Sequence, residues 1–202
     1  DDLQFALKRA VDVCGALLGL AVLAPLLLII AATIRLSSPG PALFRQPRIG
    51  FRGRSFEILK FRTMYSAVGD EAGMKQACVD DERVTPLGKF LREKSLDELP
   101  QLLNVLRGEM SLVGPRPHAP GMKAGGIQYD QLVPYYGLRH QMRPGITGWA
   151  QANGFRGPTE DAEFAKGRIE HDMAYLQNFS LWLDLRAILK TCANEILGGT
   201  GT

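Results

Sequence analysis

The longest uniform pattern in the chain is an apolar run near the N-terminus. Residues 13–34 read VCGALLGLAVLAPLLLIIAATI, which is about the length that a helix needs to span the hydrocarbon core of a bilayer. A cleavable signal peptide has a shorter apolar core that ends at a small-residue cleavage site, and this run has neither property. The pattern therefore predicts a helix that enters a membrane.

Pro25 lies near the middle of this run and argues against one straight transmembrane helix. A proline removes a backbone hydrogen bond and clashes with the preceding turn, so a helix kinks or breaks there. Residues 13–24 and 26–34 each form a half of roughly 14–18 Å, too short for about 30 Å of hydrocarbon. We favour a re-entrant helix–break–helix that enters and leaves through one leaflet, with a straight span as the alternative.

Cations flank the apolar run on both sides. Lys8 and Arg9 precede it, and seven cations against the single acid Glu57 follow between residues 35 and 62: Arg35, Arg45, Arg48, Arg52, Arg54, Lys60 and Arg62. Positively charged flanks favour the cytoplasmic side, and a hairpin places both flanks there. The basic stretch indicates lipid headgroups as its anionic partner, with a solvated face as the alternative.

The rest of the chain alternates short apolar stretches with turn residues and predicts an α+β fold that is mostly helical. Residues 42–44 and 55–61, with a turn at 50–53, predict a small β-hairpin. Residues 149–153 are predicted as a strand or extended edge. Helical patterns, which include interfacial amphipathic helices, are predicted over residues 89–93, 96–106, 160–178 and 180–196, with partial helix over 121–141 and weak helix over 70–78.

The domain organisation follows from the absence of a second linker or an internal repeat. Residues 1–36 are expected to form the membrane hairpin and residues 37–202 the cytoplasmic catalytic region, together one compact unit. The net charge is +3, and the cysteines are Cys14, Cys78 and Cys192. Because neither they nor the three histidines have metal-ligand spacing, no zinc site or disulfide framework is expected, and a reducing compartment fits better.

Asp97 and Glu98 are the first candidates for chemistry. In the local sequence SLDE they fit a capping box that begins at Ser95, where acids in the first turn complement the helix dipole. Neighbouring carboxylates can instead divide two roles, one as a nucleophile and one as a metal ligand. The local pattern leaves both interpretations open.

Candidate phosphate ligands accompany the two acids. Arg92 precedes Asp97 by five residues, Arg116 is held in a turn between two prolines, and Lys60 and Arg62 follow the membrane segment. Guanidinium groups bind phosphate oxygens in bidentate fashion, which suits a diphosphate substrate. Each cation alone fits an ordinary surface position, but together with the acid pair and the membrane segment they indicate phosphate chemistry at a bilayer surface.

Several motifs in sequence order closely resemble the bacterial sugar transferase family, the monotopic polyprenyl-phosphate phosphoglycosyl transferases. They are KFRTM at 60–64, SLDELPQL at 95–102, NVLRG at 104–108, MSLVGPRP at 110–117 and RPGITG at 143–148. The resemblance runs from about residue 7 to 196. It implies transfer of a sugar 1-phosphate from a UDP-sugar to undecaprenyl phosphate with release of UMP, the first membrane step of exopolysaccharide or glycoconjugate synthesis.

The resemblance also implies residue roles. Asp97 matches the nucleophile that forms an aspartyl phospho-sugar, and Glu98 matches the ligand of Mg²⁺. Arg92 and Arg116 match phosphate-binding arginines, and Pro25 matches the break in the re-entrant helix. The residue before this proline, position 24, is alanine where related proteins carry serine. Two residues of a matching C-terminal stretch receive no role: Asp172 and Tyr175.

The expected partners are a UDP-sugar (UDP-glucose or UDP-galactose), undecaprenyl phosphate and the membrane, with no nucleic acid, and the chain is compatible with a homo-oligomer. The expected location is the cytoplasmic face of the bacterial inner membrane. Residues 1–9 resemble the junction before this domain in longer family members, which predicts a fragment of such a protein. The competing functions are a catalytically silent membrane scaffold and a headgroup-binding module. The intact acid pair argues against both.

Overall fold

The computed structural model describes residues 2–65, 81–157 and 161–198. The predicted weak helix over 70–78 and Cys78 lie outside the described residues. The first element is helix α1, Asp2–Ser37, the one described helix that is long and apolar enough to cross a membrane by length and composition. The sequence predicted two half-helices separated by a break at Pro25, whereas the structure has one helix whose bonding continues through Pro25. The re-entrant path stays a prediction.

Helix α1 packs along the molecule through one narrow side. In its first half, Ala16 is buried in a cluster with Ile58 and Val105. In its second half, Ile30 and Ile34 are buried against another cluster, which contains Phe61 and Leu91 among others. Its remaining surface is largely exposed and apolar, with large side chains at positions that include Leu18, Val22 and Leu28. One side of the helix therefore packs against protein, and most of its remaining surface is apolar and exposed.

The predicted β-hairpin is confirmed and is longer than the pattern indicated. Strand β1, Leu43–Ile49, pairs antiparallel with β2, Ser55–Phe61. The connection is a 3₁₀ turn, Phe51–Gly53, in which Arg52 has a φ of 54°. Opposite residues in this register share a face of the hairpin.

Three helical segments follow. Helix α2, Pro86–Glu93, begins at Thr85, whose hydroxyl accepts a hydrogen bond from the Gly88 N–H. The predicted helix over 96–106 is divided into a 3₁₀ turn, Leu96–Glu98, and helix α3, Gln101–Leu106. The division has a local reason, because Pro100 has no N–H to donate to a continuous helix.

The segment after α3 contains a parallel strand pair that the sequence pattern did not predict. Strand β3, Ser111–Val113, is followed by a minimal hairpin of β4, Lys123–Ala124, and β5, Ile127–Gln128. The chain continues through helix α4, Tyr129–Leu132, and a 3₁₀ segment, Tyr136–Gln141, which confirms partial helix in this region. Strand β6, Gly145–Thr147, then pairs parallel with β3.

Glycine at position 145 permits this pairing. A Cβ there would lie 2.1 Å from the Gly114 backbone nitrogen, well inside van der Waals contact. The Gly145 N–H donates instead to the Pro115 carbonyl at 3.0 Å. The close approach fixes the path of the turn that carries Arg116.

Three helices complete the fold. The strand or extended edge predicted over 149–153 is wrong, because Trp149–Ala152 forms helix α5, in which the Ala152 N–H donates to the Gly148 carbonyl. The helices predicted over 160–178 and 180–196 are confirmed as α6, Ala162–Gln177, and α7, Leu181–Gly198. On α7, Trp182 is 62% exposed, so this residue does not fill the core.

Candidate active site

The acid pair lies beside the end of the β-hairpin because Asn104 joins α3 to the edge of β2. The Asn104 side-chain oxygen accepts from the Leu59 N–H at 3.0 Å, and its amide group donates to the Glu57 carbonyl at 2.7 Å. Asn104 is fully buried. These bonds extend the strand edge with one side chain, and they place the 3₁₀ turn of Asp97 next to Lys60.

Glu98 lies between two cations. Its Oε1 accepts from Lys60 Nζ at 2.7 Å and from Arg116 Nη2 at 2.7 Å, whereas its Oε2 has only a 3.4 Å contact to Arg116 Nη1. Burial by itself raises the pKa of this carboxyl, but Arg116 and Lys60 outweigh that effect and hold the pKa well below its usual range. Glu98 is therefore ionised at any physiological pH.

Asp97 has a different environment from its neighbour. It is 8% exposed, and its closest cation is Lys60, with Nζ 3.9 Å from Oδ2. Among the residues that the structure describes, none donates a hydrogen bond to its carboxylate. Burial raises the Asp97 pKa, and Glu98 raises it further against the opposing effects of Lys60 and the nearby arginines. The lone pairs of Asp97 thus stay available to an incoming group.

Arg92 lies close enough to Asp97 for the two charges to interact. Its Nε donates to the Thr63 hydroxyl at 2.9 Å, which fixes the side chain at the end of α2. Burial lowers the pKa of Arg92, and the charge of Asp97 acts in the opposite direction. Arg92 therefore contributes positive potential at the nucleophile candidate.

A buried ion pair, which the sequence did not predict, positions Arg116 through a hydrogen bond to its backbone carbonyl. Arg139 Nη2 donates to the Arg116 carbonyl at 2.7 Å and to Asp172 Oδ2 at 2.6 Å. Both members of the Arg139–Asp172 pair are almost completely buried. Asp172, which was left without a role by the motifs, therefore holds Arg139 under the turn that presents the Arg116 guanidinium to Glu98.

Two sequence-based expectations do not match this geometry. The structure does not bring Arg62 to the acid pair, because its guanidinium donates to the Ile34, Ser38 and Pro39 carbonyls at the end of α1. A cation there complements the exposed carbonyls of a helix C-terminus. The capping-box interpretation also fails, because Ser95 makes no side-chain cap bond and Glu98 turns toward its cations. Pro25 lies in α1, apart from this cluster of side chains.

The donor set fits a magnesium ion in part. Mg²⁺ in phosphate-transfer sites is commonly held by one or two carboxylates together with substrate phosphates. No group of three or more potential ligands from His, Cys, Asp and Glu occurs among the described residues. Glu98 Oε2, which has only the long contact to Arg116, is the oxygen best placed to bind a cation.

A small pocket opens beside Glu98 and contains two polar side chains that sequence reasoning did not assign to the site, Arg48 and Gln101. The lining residues are Arg48, Ile58, Lys60, Glu98, Gln101, Arg116 and Pro117. The pairing register of the hairpin accounts for the position of Arg48, which lies beyond the strand predicted over residues 42–44. Phe44 opposes Lys60 in the register, so residues 44, 46 and 48 share the face of Lys60.

The residues of this cluster lie in a chain that is similar to known proteins over nearly its whole length. The family described as bacterial sugar transferase matches residues 3–198. The chain belongs to the bacterial sugar transferase family. The family resemblance read from the motifs is thereby confirmed, and residues 60, 97, 98 and 116, which lie in those motifs, are the ones that the fold brings together.

Three members of the family illustrate the similarity. The chain is 49% identical, over 98% of its length, to the whole of an exopolysaccharide production protein of Rhizobium leguminosarum bv. phaseoli. It is 53% identical over 91% of its length to a UDP-glucose:undecaprenyl-phosphate glucose-1-phosphate transferase of Caulobacter vibrioides, covering 67% of that protein. It is 49% identical over 92% of its length to the Escherichia coli protein of the same name, covering 39%. The chain therefore spans all of one relative and part of the others.

Proposed function

We propose that the chain transfers a sugar 1-phosphate from a UDP-sugar to undecaprenyl phosphate and releases UMP. The observation that carries this proposal is that the adjacent carboxylates of Asp97 and Glu98 have different surroundings. Asp97 has no hydrogen-bond donor among the described residues, whereas Glu98 is held by Lys60 and Arg116. Two of the named relatives use UDP-glucose according to their names, so UDP-glucose is the first donor to test and UDP-galactose the second.

The chemistry takes place in two displacements at one phosphorus atom. An Asp97 oxygen attacks the phosphorus that bears the sugar, and the bond from this phosphorus to the bridging oxygen breaks as UMP leaves. A phosphate oxygen of undecaprenyl phosphate then attacks the aspartyl phospho-sugar, and the bond to Asp97 breaks and restores the carboxylate. No proton has to be transferred in either step. A carboxylate suits this role because an acyl phosphate is reactive enough to be discharged.

Positive charge around the acid pair makes the first attack feasible, because an anionic nucleophile is repelled by a diphosphate. Arg116 and Lys60 are fixed by Glu98 and face the same pocket. Arg92 adds positive potential at Asp97. Glu98, through Oε2, would hold Mg²⁺, and the bound ion would supply charge neutralisation at the phosphate oxygens.

We propose that α1 is embedded in the cytoplasmic leaflet of the inner membrane and does not cross it. Both ends of the helix bind the catalytic region, which supports this arrangement. Lys8 pairs with Asp184 at 2.7 Å near the N-terminal end, and Arg62 holds the last carbonyls at the other end. A helix that crossed the bilayer would carry one end away from these partners. The acceptor phosphate would then lie at headgroup depth, next to the acid pair.

The test is UMP release by the purified full chain with a panel of UDP-sugars, Mg²⁺ and undecaprenyl phosphate. Asp97→Asn should lower turnover by about 10⁴-fold or more, as expected for loss of a covalent nucleophile. Asp130→Asn, an exposed aspartate on α4, is the matched control and should leave turnover unchanged. Omission of Mg²⁺ with a chelator should abolish release, and added Mg²⁺ should restore it. An Asp97→Asn variant with more than a tenth of the parent activity would contradict the proposal.

A further inference from the structure

The pocket beside Glu98 is lined by hydrogen-bond donors, and not all of them are bound to the acid pair. Its walls carry three cationic side chains, Arg48, Lys60 and Arg116, against the single carboxylate of Glu98. Lys60 and Arg116 are already bound to that carboxylate. Arg48 and one amide, that of Gln101, are left to be explained.

Arg48 lines the pocket and, among the described residues, forms no ion pair with a carboxylate, although the charge of Glu98 is close enough to act on it. Within the described part of the chain, its hydrogen bond is a 3.3 Å contact from Nη1 to the adjacent Pro47 carbonyl. Partial burial, and to a smaller extent the nearby Arg116 charge, lower its pKa to about 10 against the opposing charge of Glu98. Two guanidinium groups that share a pocket repel each other unless an anion lies between them. The single charge of Glu98 faces three cations here, so Arg48 is available to bind a further anion.

Gln101 provides an independent indication at the same place. It is 2% exposed, lines the pocket, and its side-chain Nε2 has no hydrogen-bond partner among the described residues. Leaving a buried amide donor unbonded costs free energy. A buried amide donor without a protein acceptor beside Arg48 fits an acceptor oxygen that arrives with the ligand.

An ordinary surface role for Arg48 is at odds with the hairpin geometry. Arg48 shares the face of Lys60 and Ile58, which turns toward the pocket. Arg45 lies three positions earlier in the same strand, opposite Leu59 in the register. Arg45 has its side chain 62% exposed and pairs with Glu57 at 3.5 Å, as a surface cation does. The two arginines of one strand thus have different environments.

We propose that Arg48 and Gln101 form an oxyanion subsite that binds a substrate phosphate group beside Glu98 and Arg116. This inference rests on the proposed function. The ligand chemistry is a phosphate oxygen, which the diphosphate of the donor or the phosphate of the lipid acceptor can supply. In the subsite the guanidinium provides charge, and the amide provides one directed N–H.

The first experiment measures binding of inorganic pyrophosphate to the purified full chain by calorimetry, which requires no sugar transfer. Arg48→Met should weaken binding by about 10- to 100-fold, the range for loss of a charge-assisted hydrogen bond. Gln101→Met should weaken it by about 5- to 10-fold, the range for a neutral one. Arg45→Met removes the same charge from the same strand and should leave the affinity within about twofold of the parent. Equal affinities for the Arg48 and Arg45 variants, or no binding to the parent at millimolar pyrophosphate, would overturn the subsite.

The second experiment identifies which substrate phosphate occupies the subsite. UMP formed in a single turnover without acceptor reports donor binding, and the KM for undecaprenyl phosphate reports acceptor binding. A slower burst in Arg48→Met assigns the subsite to the diphosphate, and an unchanged burst with a raised acceptor KM assigns it to the lipid phosphate. If both are unchanged, the subsite is overturned. A parent chain that releases no UMP contradicts the proposed function, whereas the pyrophosphate result still decides the subsite.

Thermal unfolding separates binding from structure. Because Gln101 donates no hydrogen bond through Nε2 in the described structure, Gln101→Met should melt at or above the parent temperature while binding pyrophosphate less tightly. A large drop in melting temperature with unchanged affinity would instead make Gln101 a structural residue and would overturn its part in the subsite.

Discussion

Replacing Lys8 with methionine should destabilise the fold strongly. Lys8 Nζ donates to Asp184 Oδ2 at 2.7 Å and to the Val113 carbonyl at 2.9 Å, and the Tyr175 hydroxyl donates to the other Asp184 oxygen at 2.6 Å. The Lys8 and Asp184 side chains are only 7% and 9% exposed. The substitution therefore leaves a buried carboxylate without its cation.

The magnitude follows from this burial. Removing one partner of a buried ion pair costs about 3–5 kcal/mol. For a chain of this size, each kcal/mol shifts the melting temperature by about 2–4 °C, so Lys8→Met should melt about 6–20 °C lower. Lys166→Met is the matched control, because the Lys166–Glu163 pair has the same 2.7 Å distance but side chains that are 41% and 78% exposed. The control should melt close to the parent.

The assay is thermal unfolding of the detergent-solubilised chain for Lys8→Met, Asp184→Leu and the double variant. The double variant should recover much of the loss, because no unpaired charge remains buried. Burial already raises the Asp184 pKa, with Lys8 opposing it. Without Lys8, protonation relieves the unpaired charge, so the destabilisation should be smaller at pH 5 than at pH 8. Equal melting temperatures for Lys8→Met and Lys166→Met would show that the buried Lys8–Asp184 pair contributes no more than an exposed pair.

Three further predictions concern the site and its support. Burial raises the Asp97 pKa, and only the ionised carboxylate attacks. The pH profile of kcat/KM should therefore fall on acidification at a pH above the usual aspartate range. A fall at or below that range would argue against this environment of Asp97. Gly145→Ala should prevent folding or lower the melting temperature by many degrees, because the added Cβ would meet the Gly114 nitrogen. Gly137→Ala is the control and should be tolerated, because a Cβ there has open space. Thermal melts followed by circular dichroism compare the two variants. Arg62→Met should lower the melting temperature without changing the KM for the UDP-sugar, and a raised KM with an unchanged melting temperature would return Arg62 to phosphate binding.

Long or strongly patterned elements could be predicted from the sequence. The hairpin has β-forming residues on both sides of a glycine turn, and α6 and α7 have helical periodicity over many residues. The β3–β6 pair could not be predicted, because each strand has three residues and carries no measurable period. The wrong strand over 149–153 has a similar cause, since a four-residue segment is decided by its tertiary surroundings.

Part of the candidate site followed from the motifs. Lys60, Glu98 and Arg116 meet as expected, because their motifs lie on elements that the fold joins. Arg62 goes elsewhere because β2 ends at Phe61 and the next side chain reaches the carbonyls that end α1. Arg48 was missed because the sequence-predicted first strand was too short to reveal that position 48 shares the face of Lys60.

The most direct measurement of the proposed reaction is the intact mass of the protein after incubation with Mg²⁺ and UDP-glucose in the absence of acceptor. We expect a gain of one hexosyl phosphate, located on the peptide that contains Asp97, together with UMP and with loss of the adduct when undecaprenyl phosphate is added. Asp97→Asn should gain no mass. UMP formation that requires the acceptor, with no adduct on Asp97 under acid quench, would contradict the covalent mechanism.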